Sequence, residues 1–187
     1  MDDQAAGGFQ EHLEEVLIGG PEPVSINVVN YDPAWAERFS TERNKIAAAL
    51  GAQAGSIEHI GSTAVPGLAA KPIVDIMVTV GDVELEGAYR PQLEKVGYVL
   101  RVREAGHRMF RTPGRDVHIH LFRAGADEVA RHLVFRDRLR VSADDQAEYQ
   151  AVKLSLAERQ WPDMNYYARA KDAVIASILA RAAAARR

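Results

Sequence analysis

The segment Ile73-Val74-Asp75-Ile76-Met77-Val78 is apolar at both alternations of an extended chain, with one exception at Asp75. A strand with that pattern is covered on both faces, so it predicts a central sheet strand over residues 73–80. The carboxylate is an intrusion. An ionised acid in such a place is strongly unfavourable unless it is paired or holds a cation. The fold must therefore bring a partner to Asp75: Lys71, an arginine from elsewhere, or a divalent metal. Structural pairing and a functional site both fit that requirement.

The pattern on either side of this strand is α+β. Residues 1–22 mix glycine pairs, acids and a short apolar piece (Val16, Leu17, Ile18), and Pro21 and Pro23 end them. They read as an acidic flexible tail or linker ahead of one domain over residues 23–187. Asp32 can cap a helix with Pro33 in its first position, running to Leu50 before Gly51. Strand-like stretches over 56–60 and 73–80 flank a Gly-containing connection. A short helix near 88–96 precedes three further strands, over 98–103, 107–112 and 117–123. Asp127, Ser142 and Asp163 then each open a helix, the last running into the Ala/Arg end. Helices segregated after strands predict a mixed sheet with C-terminal helices packed on it, rather than an alternating βαβ chain.

The chain has 187 residues and no cysteine, which excludes a disulfide scaffold, a thiolate zinc site and a cysteine nucleophile. No apolar run reaches the ~18–20 residues of a membrane span, and the N-terminus lacks the order of a signal peptide, so a cytoplasmic protein is expected. The formal net charge of −3 conceals an asymmetry. Residues 1–22 hold six acids and no Lys or Arg, so the rest of the chain is positive. Residues 101–140 carry ten arginines against five acids, with four of the six histidines. Clustered arginine suits a phosphate or carboxylate partner; the alternative is a solvated basic face. Long nucleic acid is disfavoured, because the basic segment is short and no aromatic stacking strand accompanies it.

Several residue groups can carry chemistry. Gly61-Ser62-Thr63 leaves a strand with small, hydroxylated residues whose backbone N–H groups can approach an anion, although an ordinary turn explains them as well. Lys71 adds a positive charge beside that loop or faces solvent. In Val117-His118-Ile119-His120-Leu121 the histidines alternate with apolar residues. Both imidazoles therefore leave one strand face, roughly 6–7 Å apart at a ~3.3 Å rise. That spacing permits a shared metal, or one base and one phosphate donor, or simply a polar surface. His59 is a third candidate. Val129, Leu133, Arg136 and Arg140 share a helix stripe that begins apolar and ends cationic, which either snorkels or lines a cleft. Asp163, Tyr167 and Lys171 share another, which also fits an exposed helix with a local ion pair. The nucleophile-elbow, His-Glu-x-x-His and Walker A patterns are absent.

The run His59-Ile60-Gly61-Ser62-Thr63-Ala64-Val65-Pro66-Gly67-Leu68-Ala69-Ala70-Lys71-Pro72-Ile73-Val74-Asp75-Ile76 resembles the signature of the GrpB family, also called UPF0157. Residues 131–140 resemble its second motif, and Tyr149, Lys153, Tyr167 and Lys171 fit its C-terminal helices. The resemblance spans about residues 25–180 and implies a nucleotidyltransferase fold of the polymerase-beta type. There a Gly-Ser loop holds nucleotide phosphates and strand carboxylates hold divalent metal. It implies Gly61 and Ser62 for phosphate and Asp75 for a metal; if the chemistry is nucleotidyl transfer, Thr63 joins the phosphate loop, Lys71, Arg136 and Arg140 neutralise phosphoryl charge, His118 or His120 positions the cation with Asp75, and Asp75 and His120 are the catalytic groups. The second acid of the superfamily falls on Met77, and the third strand offers histidines. The resemblance allows a divalent ion, magnesium, manganese or zinc, and one carboxylate with imidazoles favours a single softer ion such as zinc or manganese, or no metal. The implied function is binding of a nucleotide or phosphorylated small molecule, with nucleotidyl transfer as its chemistry. The alternative is a non-catalytic nucleotide-sensing or partner-stabilising domain, related to those fused to dephospho-CoA kinase.

Overall fold

The computed structural model describes the backbone of residues 2–185 and the side chains of residues 7–185. Five strands form one sheet: β1 (Ile57–Ile60), β2 (Val74–Val80), β3 (Val99–Glu104), β4 (His107–Arg111) and β5 (Val117–Arg123). Their order is β1-β2-β5-β4-β3, with β2 and β5 parallel and every other pair antiparallel. The sheet is mixed, as expected. Strand β2 lies between β1 and β5, and Ile76, Met77 and Val78 are fully buried.

The two-residue period sorts the sheet into unlike faces. Val74, Ile76, Val78, Val117, Ile119 and Leu121 pack with Trp35, Ile46 and Leu50 of α2 (Ala34–Leu50) and with Leu93 of α3 (Arg90–Lys95). The opposite face carries Asp75, His118 and His120, and beside them Met77 packs with Ile60, Phe122, Val129 and Leu133. That face is approached by α4 (Asp127–Val141), α5 (Ala143–Ala157), α6 (Met164–Arg169) and α7 (Asp172–Ala184). No helix among the described residues is long and apolar enough to cross a membrane.

Of the three C-terminal helix starts read from the sequence, one holds and two are adjusted. Ala126, not Asp127, is the N-cap of α4; Asp127 lies in its first turn, where a carboxylate still meets the positive helix end. Ser142 caps α5 by accepting from the Asp145 N–H, as its position predicts. Asp163 caps a helix that stops at Ala170, and α7 starts afresh at Asp172. Breaking the helix there lets Lys171 lie over the Tyr167 ring.

The expectation of a flexible acidic tail needs correction. Helix α1 (Asp2–Val16) turns Leu13, Val16 and Leu17 into a small core with Val102, and Phe9 meets the Tyr166 ring edge-on at 4.9 Å. Positions 9, 13, 16 and 17 form one helical stripe, which is why an acid-rich segment can still dock. Leu17 bridges to Val102 and the Ile18 N–H donates to the Arg101 carbonyl, so this segment shields the free edge of β3.

The connection between β1 and β2 is pinned from behind. Arg136 donates to Glu58 and to the His59 carbonyl, while Arg140 donates twice to the Ala64 carbonyl at 3.0 and 2.8 Å. The two arginines expected at phosphate instead support the loop. His59 also departs from its candidate role: antiparallel pairing with Ile76 aims it at the α2 side of the sheet, where it stacks on Phe39. Thr63 donates to the Ile73 carbonyl, so it accepts from His59 Nε2–H at 3.0 Å and selects that neutral tautomer.

Two outcomes follow from these contacts. Leu13→Ala is expected to lower unfolding stability by about 2–4 kcal/mol, as for other buried leucines; denaturant melts showing no change would restore the loose-tail reading. Burial, ahead of all other causes, lowers the His59 pKa from the ordinary histidine value to about 4. The unfolded chain then binds the extra proton between ~6.5 and ~4, so stability present above that window falls on acidification, by on the order of 3 kcal/mol at its foot. Melting scans across this range check it, with a smaller acid loss expected for His59→Gln.

Candidate phosphate and metal site

A cavity of about 340 Å³ lies between the polar face of the sheet, the β1–β2 loop, helices α5 and α6, and the segment after α1. Its floor is set by strand register. Parallel pairing places His118 opposite Asp75 and His120 opposite Met77, so both imidazoles share the carboxylate's face. His118 Nδ1 lies 3.5 Å and His120 Nε2 3.6 Å from Asp75 Oδ1. Burial pushes the Asp75 carboxyl up, but the polar and charge interactions of the two adjacent imidazoles together outweigh it and hold the group well below the usual carboxylate range.

This donor set fits a metal ion. One ligand atom from each of Asp75, His118 and His120 lies within 4.8 Å of the others, the arrangement of two imidazoles and one carboxylate that suits a single borderline divalent cation. A second layer orients it. His120 Nδ1 sits 3.1 Å from His107 Nε2, and His107 Nδ1 sits 3.5 Å from Glu104, leaving His120 Nε2 toward Asp75. Among the described residues no second carboxylate joins this group, and Met77, on the same strand face as Asp75, packs among Ile60 and Phe122.

Gly61 is required by this carboxylate. Its backbone has φ 70°, and a Cβ there would fall on the Asp75 side chain. The loop therefore passes directly over the acid, and Ser62 and Thr63 join the cavity wall. Only Ser62 has its hydroxyl turned to that side, 3.2 Å from Lys153 Nζ. The Thr63 hydroxyl is committed to His59 and Ile73.

Three lysines complete the wall. Lys71 and Lys171 lie over the Tyr167 ring at 4.7 and 4.6 Å from its centroid, and Lys153 lies 5.0 Å from that of Tyr149. Lys153 also donates to the Ala69 carbonyl, and Lys71 contacts the Met164 sulfur. Among the described residues no carboxylate lies within ion-pair distance of any of the three. Burial lowers the Lys71 and Lys153 pKa values to about 7, reinforced in each by neighbouring lysines, and burial lowers that of Lys171. Lys71 carries a local signal beside the loop, Lys171 its stripe with Asp163 and Tyr167, and Lys153 and Lys171 a resemblance to the family's C-terminal helices; their convergence on this cavity is a tertiary fact. Asp163, on the Lys171 stripe, instead caps α6 and accepts from the Glu22 N–H.

Such a wall can bind an anion beside a cation. Comparison with known proteins finds relatives and fold neighbours. The chain is 55% identical over 171 residues to a UPF0157 protein of Streptomyces coelicolor, with 91% of each chain covered. The crystal structure of conserved protein GrpB from Enterococcus faecalis superposes with a TM-score of 0.73 at 35% identity, covering 83% of this chain and 96% of that one. At the level of fold alone, Cid1 poly(U) polymerase bound to MgATP matches with a TM-score of 0.51 at 12% identity, over 71% of this chain and 45% of that chain. A dephospho-CoA kinase of Mycolicibacterium paratuberculosis is 29% identical over 176 residues, and this chain covers 43% of its length. The model of the GrpB protein family matches residues 25–181, and the chain belongs to that family.

Proposed function

We propose that the cavity binds a phosphorylated small molecule, a nucleotide by preference, together with one divalent cation held by Asp75, His118 and His120. The observation that carries this reading is the trio of Lys153, which is buried, with Lys71 and Lys171, which are half-buried, none with a carboxylate at ion-pair distance among the described residues and all beside that ligand set. Clustered ammonium groups repel one another and lose hydration, so a multiply charged anion relieves both penalties at once. Ser62 and the backbone N–H groups of the Gly61–Thr63 turn supply neutral donors, and the lysines neutralise charge on phosphoryl oxygens. A bound metal ion would contribute Lewis-acid polarisation of a phosphate oxygen. His118 and His120 keep Asp75 ionised and aimed, and His107 holds the His120 ring by its contact at Nδ1.

Nucleotidyl transfer is the chemistry this arrangement favours, with Asp75 and His120 at the reacting phosphate. A second reading, a nucleotide-sensing or partner-stabilising domain without turnover, draws on the match to part of a dephospho-CoA kinase. Binding is common to both; release of pyrophosphate from a nucleoside triphosphate separates them.

Titration calorimetry with nucleoside triphosphates in Mg²⁺, Mn²⁺ and Zn²⁺ in turn is expected to give binding that needs the metal and is lost in Asp75→Asn. Absence of heat and of thermal shift with every combination would sink the proposal. Lys153→Met is expected to weaken triphosphate binding by roughly 10- to 100-fold, the scale of one or two charge-assisted contacts. Because Lys71 and Lys153 hold their protons only up to about pH 7, affinity should fall between pH 6 and pH 8. Gly61→Ala should abolish metal binding, by displacing Asp75 or the loop, and equilibrium dialysis with Mn²⁺ reads it directly.

A further inference from the structure

At the rim of the same cavity three arginines converge on one carboxylate. Arg111 of β4 grips Glu22 with two parallel hydrogen bonds of 3.0 and 2.9 Å, and Arg115 of the β4–β5 turn reaches the same carboxylate at 3.0 Å. Arg101 of β3 lies 4.0 Å away, but its guanidinium is buried and committed to the Ile18 and Gly20 carbonyls. Arg111 and Arg115 have no such second engagement among the described hydrogen bonds. Glu22, Arg111 and Arg115 all line the cavity.

Two features distinguish this from an ordinary surface ion pair. Arg115 has φ 61°, a left-handed conformation unfavourable for a residue with a side chain, so the turn holds it there at a cost. Glu22 belongs not to the sheet but to the segment after α1, just past Gly19 and Gly20, both also at positive φ, and between Pro21 and Pro23. Its carboxylate is about one-third exposed and reaches the arginines from outside the sheet, the route a solute would take. A planar carboxylate on a guanidinium fork has the geometry that a ligand carboxylate or phosphate would adopt there.

We propose that Arg111 and Arg115 form a second anion subsite, in which the Glu22 carboxylate stands in for a second anionic group of the ligand, carboxylate or phosphate. This rests on the phosphate-binding reading of the cavity and extends it: the ligand bears anionic groups at two separated positions, one toward the lysines and one toward the arginines. Glu22 competes with the second group and so sets the threshold for ligands that carry it.

The test compares adenosine 3′,5′-bisphosphate with ADP, two probes of the same nucleoside whose phosphates are split or adjacent, by calorimetric titration of the full chain in Mn²⁺. Wild-type protein should bind the bisphosphate about tenfold more tightly. Arg115→Ala should remove that preference. Glu22→Gln should enlarge it, because the competing charge is gone while side-chain size is kept. Equal affinities in the wild type, or variants that shift both probes by the same factor, overturn the second subsite and leave the phosphate cavity standing. Failure of both probes and of inorganic pyrophosphate to bind overturns the cavity reading and this one together.

Discussion

The contact between Asp75 and its surroundings constrains more of this molecule than any other. A carboxylate in a buried strand must be compensated, and here the compensation comes from His118 and His120 on the parallel neighbour while the loop leaving β1 crosses at Gly61. These requirements interlock. A one-residue slip of β5 against β2 would send both imidazoles into the apolar layer under α2 and bring Val117 and Ile119 to the carboxylate. A side chain at position 61 would occupy the carboxylate's own space. Strand register, loop path and site geometry are thus one constraint.

The supporting structure around the loop shows how the fold keeps that geometry. Arg136 and Arg140 reach from α4 to backbone carbonyls behind the loop, and the neutral His59 ties Thr63 to the α2 side. Val65 and Leu68 bury themselves between Leu139, Tyr149 and Ile178. The loop is therefore held by charge-assisted bonds on one flank and apolar packing on the other, which suits a binding element that must be set in advance of its ligand.

Much of this was legible in the residues themselves. The intrusion of Asp75 into an apolar run and the period-two spacing of His118 and His120 are local signals, and each led to the face the fold realises; Gly61 reads in sequence only as a turn open to an anion, and its close pass over Asp75 is a long-range fact. Long-range facts were not legible. Lys153 sits on α5 and Lys171 in the break between α6 and α7, and how these approach the sheet is decided by packing around Tyr149 and Tyr167, so nothing nearby in sequence shows that they reach the cavity. Arg136 and Arg140 were placed on the correct helix face but at the wrong depth, because a stripe shows direction and not what stands in front of it. Helix α1 was hidden by composition: Phe9, Leu13, Val16 and Leu17 do recur at helical spacing, yet the acids and the Gly7-Gly8 pair outweighed so short a stripe.

The parallel pairing of β2 with β5 has a kinetic consequence. Parallel neighbours cannot be joined by a tight turn, and between them the chain must first lay down α3, β3 and β4. The β3–β4 hairpin can form from local contacts alone, whereas the β2–β5 ladder closes a long loop and so belongs to the slower, non-local part of folding. Asp75 meets its histidines only when that ladder closes. During synthesis the acid emerges well before His118 and His120, and nascent chains have no means of assembling the ligand set until the fifth strand has left the ribosome.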